Sequence, residues 1–293
     1  MKNKNHISPA FSGPMRFLFI TPTILVLVLI IVGPLVYTLY LSFHEYLVVY
    51  GLGDFWGFTN YADVWSDDLL HVSIVTAKLT FWTVSIEFLL AFGLALLLHQ
   101  SDIKFKNVYL IILTIPILMT PVAVALGFRL MFNPELGIIN YLIGLVGIEK
   151  QGWFGDPNLA MQSLIFVDVW HETSLMLLLL YAGLTALPNE PREAAMLDGH
   201  GPLTILWHVT IPLMKPVILV TLLIRMIAAL KSYDLIYMLT AGGPGNMTET
   251  ISYHAYRLGF RYLDIGQSSA VSFVLLVMVL LVTLMLMRSM KSS

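Results

Sequence analysis

The chain has 293 residues, a formal net charge of −2 and no cysteine, and 58% of it is apolar against only 12% charged. An ordinary soluble domain carries roughly 25% charged residues, so this composition belongs in a bilayer. Lack of cysteine excludes disulfides, thiol catalysis and iron–sulfur clusters, and the near-neutral charge gives no reason to expect a nucleic-acid partner.

Residues 1–16 are polar and carry Lys2, Lys4 and Arg16, and they read as a cytoplasmic N-terminal segment. The apolar run 17–42 is long enough to cross a hydrocarbon core, which needs about 20 residues; a cleaved signal peptide would have a shorter apolar region, roughly 7–15 residues. Five more runs follow at about 72–98, 107–131, 161–186, 212–238 and 268–288, so the expected fold is all-α: a polytopic bundle of six transmembrane helices over 17–288 with a short tail at 289–293. No linker rich in Pro, Gly and Ser divides it. Pro116, Pro121 and Pro216 mark places where a helix can kink or start.

Short loops rich in Lys and Arg stay in the cytoplasm. With the N-terminus inside, nine of the 16 cations fall on the inner side, namely Lys2, Lys4, Arg16, Lys104, Lys106, Arg192, Lys215, Arg288 and Lys291, while three (Lys150, Arg257, Arg261) fall outside. The first outer loop, 43–71, has neither Lys nor Arg but has Asp54, Asp63, Asp67 and Asp68. Both termini and the segment 188–211 are therefore expected in the cytoplasm. Trp56, Trp65, Trp153, Tyr253 and Tyr262 sit in the outer loops, as interfacial rings do.

Ionisable groups inside spans ask for a partner or a wet cavity. In the fourth span Asp168, His171, Glu172 and Leu175 recur at helical spacing on one face. In the fifth, Lys231 and Asp234 can pair, with Tyr233 and Tyr237 on an adjacent stripe. The two helices run in opposite directions, and at about 1.5 Å per residue Asp168 and Lys231 reach one depth. A chamber built from Asp168, Trp170, Glu172, Tyr233, Asp234 and Tyr237 suits a sugar, whose hydroxyls want carboxylates and whose C–H faces want rings. The same charges can instead only hold the bundle together. Glu87 and Arg225, both near mid-depth, can neutralise each other, while Lys78 and Arg129 read as snorkelling anchors. The eight histidines lack the paired spacing of a metal site, and Gly242–Gly245 lacks the Lys-Ser or Lys-Thr of a phosphate cradle. No catalytic constellation can be assembled.

One polar island separates two apolar runs: Pro191-Arg-Glu-Ala-Ala-Met-Leu-Asp-Gly199, continuing through Pro202 and Trp207 to Ile211-Pro212. Pro191 suits the first turn of a helix, Gly199 a left-handed stop, and Pro202 the opening of a second short helix. Small residues at Ala194 and Ala195 with charges at Glu193 and Asp198 suit a segment that lies in another protein's groove.

At these residues the chain resembles the permeases of binding-protein-dependent ABC importers, whose cytoplasmic signature is Glu-Ala-Ala, three residues, Gly, nine residues, Ile-x-Leu-Pro. The match is Glu193-Ala194-Ala195, Gly199 and Val209-Thr210-Ile211-Pro212, with Val209, Ile211 and His200 as departures. Likeness to the carbohydrate, maltose-type branch lies in Phe132-Asn-Pro-Glu-Leu-Gly-Ile-Ile-Asn140, Asp168-Val-Trp170, Ala182-Gly-Leu184 and Leu239-Thr-Ala-Gly-Gly-Pro244. The resemblance implies the type I importer permease fold and half of a pore in the cell membrane. It implies these partners: a second permease subunit, expected to be a different chain, two cytoplasmic ATPase subunits that bind the ATP and Mg²⁺, an extracytoplasmic sugar-binding protein, and the sugar. ATPase coupling would fall to Glu193, Ala194, Ala195, Asp198, Gly199, Pro202 and Trp207. Three other readings remain: a permease for a non-sugar solute, an ion-coupled secondary transporter, and a membrane enzyme using Asp168, His171 and Glu172.

Overall fold

The computed structural model describes residues 13–66, 69–100 and 104–291; expectations resting on Lys2, Lys4, Asp67 and Asp68 lie outside the described residues. Helix α1 (Gly13–Leu27) runs through a π turn at Val28–Val32 into α2 (Gly33–Ser42). A hairpin of β1 (His44–Leu47) and β2 (Gly51–Phe55), then α3 (Thr59–Ser66), fill the loop between the first and second spans. The second span is α4 (Leu69–His99). The third is α5 (Lys106–Thr114), a 3₁₀ turn (Ile115–Leu118) and α6 (Pro121–Met131). After α7 (Ile138–Leu145), α8 (Ala160–Thr185) crosses back. The segment after it holds α9 (Glu190–Leu197), and α10 (Pro202–Ile205) passes through a π turn (Leu206–Thr210) into α11 (Ile211–Leu230). Then come α12 (Asp234–Leu239) and α13 (Ile251–Tyr256), the latter extended by a π turn (Arg257–Arg261), and α14 (Ile265–Lys291) is the last span.

Among the described residues five helices are long and apolar enough to cross a membrane, and the bent pair in the third run makes a sixth crossing if it is one span. That pair turns by 97° between Leu118 and Pro121. The cause is local: Thr120 precedes a proline and is extended (φ −72°, ψ 148°), and its hydroxyl then caps α6 by accepting from the Ala123 N–H at 3.3 Å.

Two expectations about the fifth run are corrected. The helix does not reach residue 238: it stops at Leu230, and Lys231, Ser232 and Tyr233 break it before α12. Nor does it begin at residue 212: Pro202 opens the short helix α10 as expected, and Pro202–Leu230 continues as one long apolar helix. The missing Pro N–H costs nothing in a first turn, so the chain starts the span about ten residues earlier than hydropathy alone places it.

The core is α4 against α8, with α11 lying across both. Ala91, Ala95 and Leu98 of α4 meet Met176, Leu180 and Leu184 of α8 and Met214 of α11. Ala91 and Ala95 are fully buried, and a Cβ on Gly183 would come 2.6 Å from Val217 of α11, so small residues set how closely these helices approach. A second cluster joins Val124 and Phe128 of α6, Leu164 and Val167 of α8, and Leu235 and Ile236 of α12. By contrast, the first span between Ile20 and Ser42 has only 6% of its most apolar window buried. Its α2 part packs on α14.

Candidate functional site

Between the fourth and fifth spans, α9 begins with Pro191 in its first turn and is stopped at Gly199, whose φ of +78° is the left-handed stop expected there. The Gly199 N–H donates to the Met196 carbonyl (3.0 Å) and the His200 N–H to the Ala195 carbonyl (3.1 Å), the paired closure of a Schellman motif. His200 thus contributes its backbone to the turn while its side chain stays exposed. Ala195 is buried, whereas Glu193, Ala194 and Asp198 are exposed and make no side-chain hydrogen bond or ion pair among the described residues. Leu197, Leu203 and Trp207 are 89%, 72% and 64% exposed. Leu203 also lines a cavity of about 470 Å³ with Leu96, Arg192 and Met196. Pro202 and Trp207 lie on the helix of the fifth span itself, one turn of chain from α9.

Deep in the bundle Arg225 of α11 donates Nε to Glu87 Oε2 (2.6 Å) and Nη2 to Glu87 Oε1 (2.8 Å), and Nη2 also reaches Asp168 Oδ2 at 2.5 Å. Exposures of 0% for Glu87, 2% for Arg225 and 7% for Asp168 leave water out, so one guanidinium satisfies two carboxylates and ties α4, α8 and α11 together. The expected pairing of Glu87 with Arg225 is present. Asp168 does not meet Lys231, because its carboxylate turns to Arg225 and Lys231 caps the end of α11 as an exposed residue. No ion pair joins Lys231 to Asp234 among the described residues, since the helix that would have put them on one face ends between them.

His171 points its Nε2 at the Met119 carbonyl (3.1 Å), which can only accept, and its Nδ1 lies 3.1 Å from Glu172 Oε1. Ser174 Oγ donates to the Leu113 carbonyl at 2.9 Å. Both target carbonyls lie on or beside the 3₁₀ turn and the bend, where no helical N–H is available to them. The fourth span therefore props open the broken third one, a role sequence spacing did not reveal because its partner is a backbone atom 52 residues away.

Trp170 follows Asp168 by two residues, about 200° round the helix, and it cannot share the face of Asp168. It packs edge-on to Phe128 (5.1 Å between ring centroids) and lines an apolar groove of about 1050 Å³ with Trp82 and Lys78. Tyr233 and Tyr237 stack at 5.4 Å beside Tyr253 and Tyr256 of α13. Asp234 is exposed at the start of α12. The six residues expected to form one chamber thus fall into three groups: Asp168 with Glu172 inside, Trp170 on the groove, and Tyr233, Asp234 and Tyr237 beyond the end of α11. Arg129, expected as a snorkelling anchor, donates Nη1 to the Met238 carbonyl at 3.1 Å, while Lys78 is exposed.

The motif-like outer segments prove architectural. Asn133 Oδ1 accepts from the Glu135 and Leu136 N–H groups, and a Cβ on Gly137 would come 2.5 Å from the Met131 carbonyl oxygen. Buried Asn140 closes the loop on Pro134, Gln151 and Trp153. In the Gly-Gly-Pro turn, Gly242 (φ +82°) lies against Tyr253, 2.8 Å from a Cβ built there.

Residues 88–291 match the family described as "Binding-protein-dependent transport system inner membrane component". The trehalose/maltose transport system permease protein MalF of Thermococcus litoralis is 34% identical over 278 residues, covering 94% of this chain and 92% of that protein. The sulfoquinovosyl glycerol transport system permease protein SmoG of Agrobacterium fabrum is 32% identical over 281 residues, 94% of this chain and 89% of the relative. Among solved structures, a bacterial ABC transporter involved in the import of the acidic polysaccharide alginate superposes with a TM-score of 0.80 at 20% identity, over 94% of this chain and 95% of that one, which speaks for the fold alone. The chain therefore belongs to the inner-membrane permeases of binding-protein-dependent ABC importers, a multi-pass membrane subunit with no catalytic role and no cofactor of its own.

Proposed function

We propose that this permease imports a sugar. It forms half of the pore with a second, different permease chain and receives its cargo from an extracytoplasmic binding protein. Through residues 188–211 it is driven by two cytoplasmic ATPase subunits, which carry the ATP and Mg²⁺. The observation that carries the reading is the arm at 188–211: α9 is exposed but for Ala195, closed at its C-terminal end by the Gly199 turn, and joined across that turn to a 29-residue helix. A push on Glu193, Ala194, Asp198, Leu197 or Trp207 is thereby passed along a rigid element to Arg225 and the spans it ties. Binding that differs between two ATPase states then shifts the pore between two packings. Sugar as cargo rests on relatives named for trehalose, maltose and sulfoquinovosyl glycerol at 32–34% identity.

Both termini and 188–211 lie in the cytoplasm in this reading. Within it, Asp168 and Glu172 position helices, and Tyr233, Asp234 and Tyr237 are the outer contacts of the sugar. The chain has no native cysteine, so single cysteines at Asp63, Glu149, Arg192 and Met247 can be labelled in intact cells with an impermeant thiol reagent. Labelling is expected at 63, 149 and 247 and not at 192; the reverse pattern overturns the orientation. Uptake by a strain lacking this chain, complemented with wild type or with a Glu193→Arg, Gly199→Val double variant, tests the rest. Sugar uptake by wild type and its loss in the inserted double variant is expected, and full uptake by the double variant ends the coupling proposal.

A further inference from the structure

Where α11 breaks, the two segments beyond it face each other and carry an unusual density of rings. Tyr233 and Tyr237 come from the start of α12, Tyr253 and Tyr256 from α13, and Phe260 from the π turn that follows. Their centroids succeed one another at 6.3 Å (Tyr253 to Tyr233), 5.4 Å (Tyr233 to Tyr237), 5.3 Å (Tyr237 to Tyr256) and 5.2 Å (Tyr256 to Phe260). Tyr253 is 1% exposed, Tyr237 37% and Phe260 72%, with Tyr233 and Tyr256 half-buried between them. The buried end leaves the Tyr253 hydroxyl without a hydrogen-bond partner among the described residues.

An interfacial belt of aromatic residues scatters single rings around a lipid-facing perimeter. Here the rings instead pack on one another, and the backbone beneath them is fixed by side chains of the facing loop. Thr250 Oγ1 donates to the Ser232 carbonyl (3.3 Å) and Ser252 Oγ to the Lys231 carbonyl (3.2 Å), two acceptors left open by the break. From the other side, the Ile251 N–H donates to Thr76 Oγ1 of α4 at 2.9 Å, and Glu249, 1% exposed, holds both His254 Nδ1 (2.7 Å) and Arg257 Nη1 (2.8 Å). A platform held this firmly loses little freedom when something lies on it.

Resting on the sugar reading above, we infer that Tyr237, Tyr256 and Phe260 form a stacking platform on which cyclic sugars are held at the outer end of the pore half. Tyr237 stands edge-on to Tyr256, which stacks on Phe260, so the ring faces left open are those of Tyr237 and Phe260. With phenolic hydroxyls in the row and the exposed carboxylate of Asp234 at the start of α12, they match a pyranose or furanose ring: apolar C–H faces on the rings, hydroxyls to the phenols and the carboxylate. Two open faces in one row hold oligosaccharides of two or more rings better than a single one. Linear polyols and phosphorylated glycerol offer no such face and are discriminated against.

The test uses the assembled importer, purified with its partner subunits through a tag on this chain and placed in lipid nanodiscs. A prior uptake screen in cells with maltose, trehalose and arabinose oligosaccharides selects the probe. Saturation-transfer difference NMR, irradiating aromatic protons, then reads contact with its ring protons, with sorbitol and sn-glycerol 3-phosphate as linear controls. Tyr237→Leu and Phe260→Leu keep apolar bulk but lose the ring, and each is expected to weaken binding roughly 3- to 10-fold, while Tyr237→Phe retains most of it. Recovery and elution of the complex establish that each variant is folded, and Tyr256→Phe, which keeps all packing, isolates the phenolic hydroxyl. Unchanged binding in both leucine variants, or equal signals from sorbitol, overturns the platform while leaving sugar import standing. Wild-type cells that import none of the sugars overturn the sugar reading and the platform with it.

Discussion

The arm at 188–211 leaves Glu193 and Asp198 exposed, whereas the knot within the bundle holds Glu87, Asp168 and Arg225 at exposures of 7% or less. Both use carboxylates, but the physics differs. An exposed carboxylate is well hydrated, contributes little to stability and is free to meet a partner. A buried one carries a desolvation cost of several kcal/mol that only a guanidinium in ideal geometry offsets, so it is committed to its own chain. The contrast separates the surface proposed to meet the ATPase subunits from a joint that keeps three helices in register.

Removing the cation should break the knot hardest. Arg225→Met strands two buried carboxylates and is expected to cost about 3–5 kcal/mol, read as a lower thermal midpoint in detergent and less protein in the membrane. Adding Glu87→Gln and Asp168→Asn should restore much of it. An Arg225→Met protein as stable as wild type would mean the charges are hydrated after all, and the contrast with the arm would vanish.

Next in size is the prop at the bend. His171→Ala leaves the Met119 carbonyl without its donor and Glu172 without its neighbour, at a cost of about 1–3 kcal/mol. Hydrogen exchange should speed up at the start of α6 more than in α4; uniform acceleration would argue that the bend is set by Pro121 alone.

On the arm the effects on folding shrink while those on transport grow. Gly199→Ala meets no atom within 4 Å but must hold φ near +78°, which costs about 1–2 kcal/mol confined to the end of α9. Gly199→Asn, tolerant of that conformation, should recover most of the uptake that alanine loses. Smallest of all is Glu193→Gln, expected within about 0.5 kcal/mol of wild-type stability, as for an exposed residue outside any cap or network. Its uptake is nevertheless expected to fall several-fold, with ATPase subunits retained less well on purification. Equal losses of stability and uptake in this variant would place Glu193 with the knot rather than with the docking surface.

Local features were legible in the sequence because they depend on neighbours in the chain. Apolar runs located the spans, Pro191 and Gly199 bounded α9 through φ restrictions, and the Glu-Ala-Ala signature pointed to the family before any fold was known. Tertiary structure alone decided where the charged side chains go. Sequence spacing set Asp168 at the depth of Lys231 and matched Arg225 only with Glu87; the break at Lys231–Tyr233 and the crossing of α11 over α4 and α8 brought Asp168 to Arg225 as well. Likewise Pro116 and Pro121 announced a possible kink, but the bend of 97° also carries contacts from His171 and Ser174 of another helix. The rows of tyrosines met only because α13 folds back over the break. Helix rotation and break position are set by packing among distant segments, and a periodic pattern read along one chain contains neither.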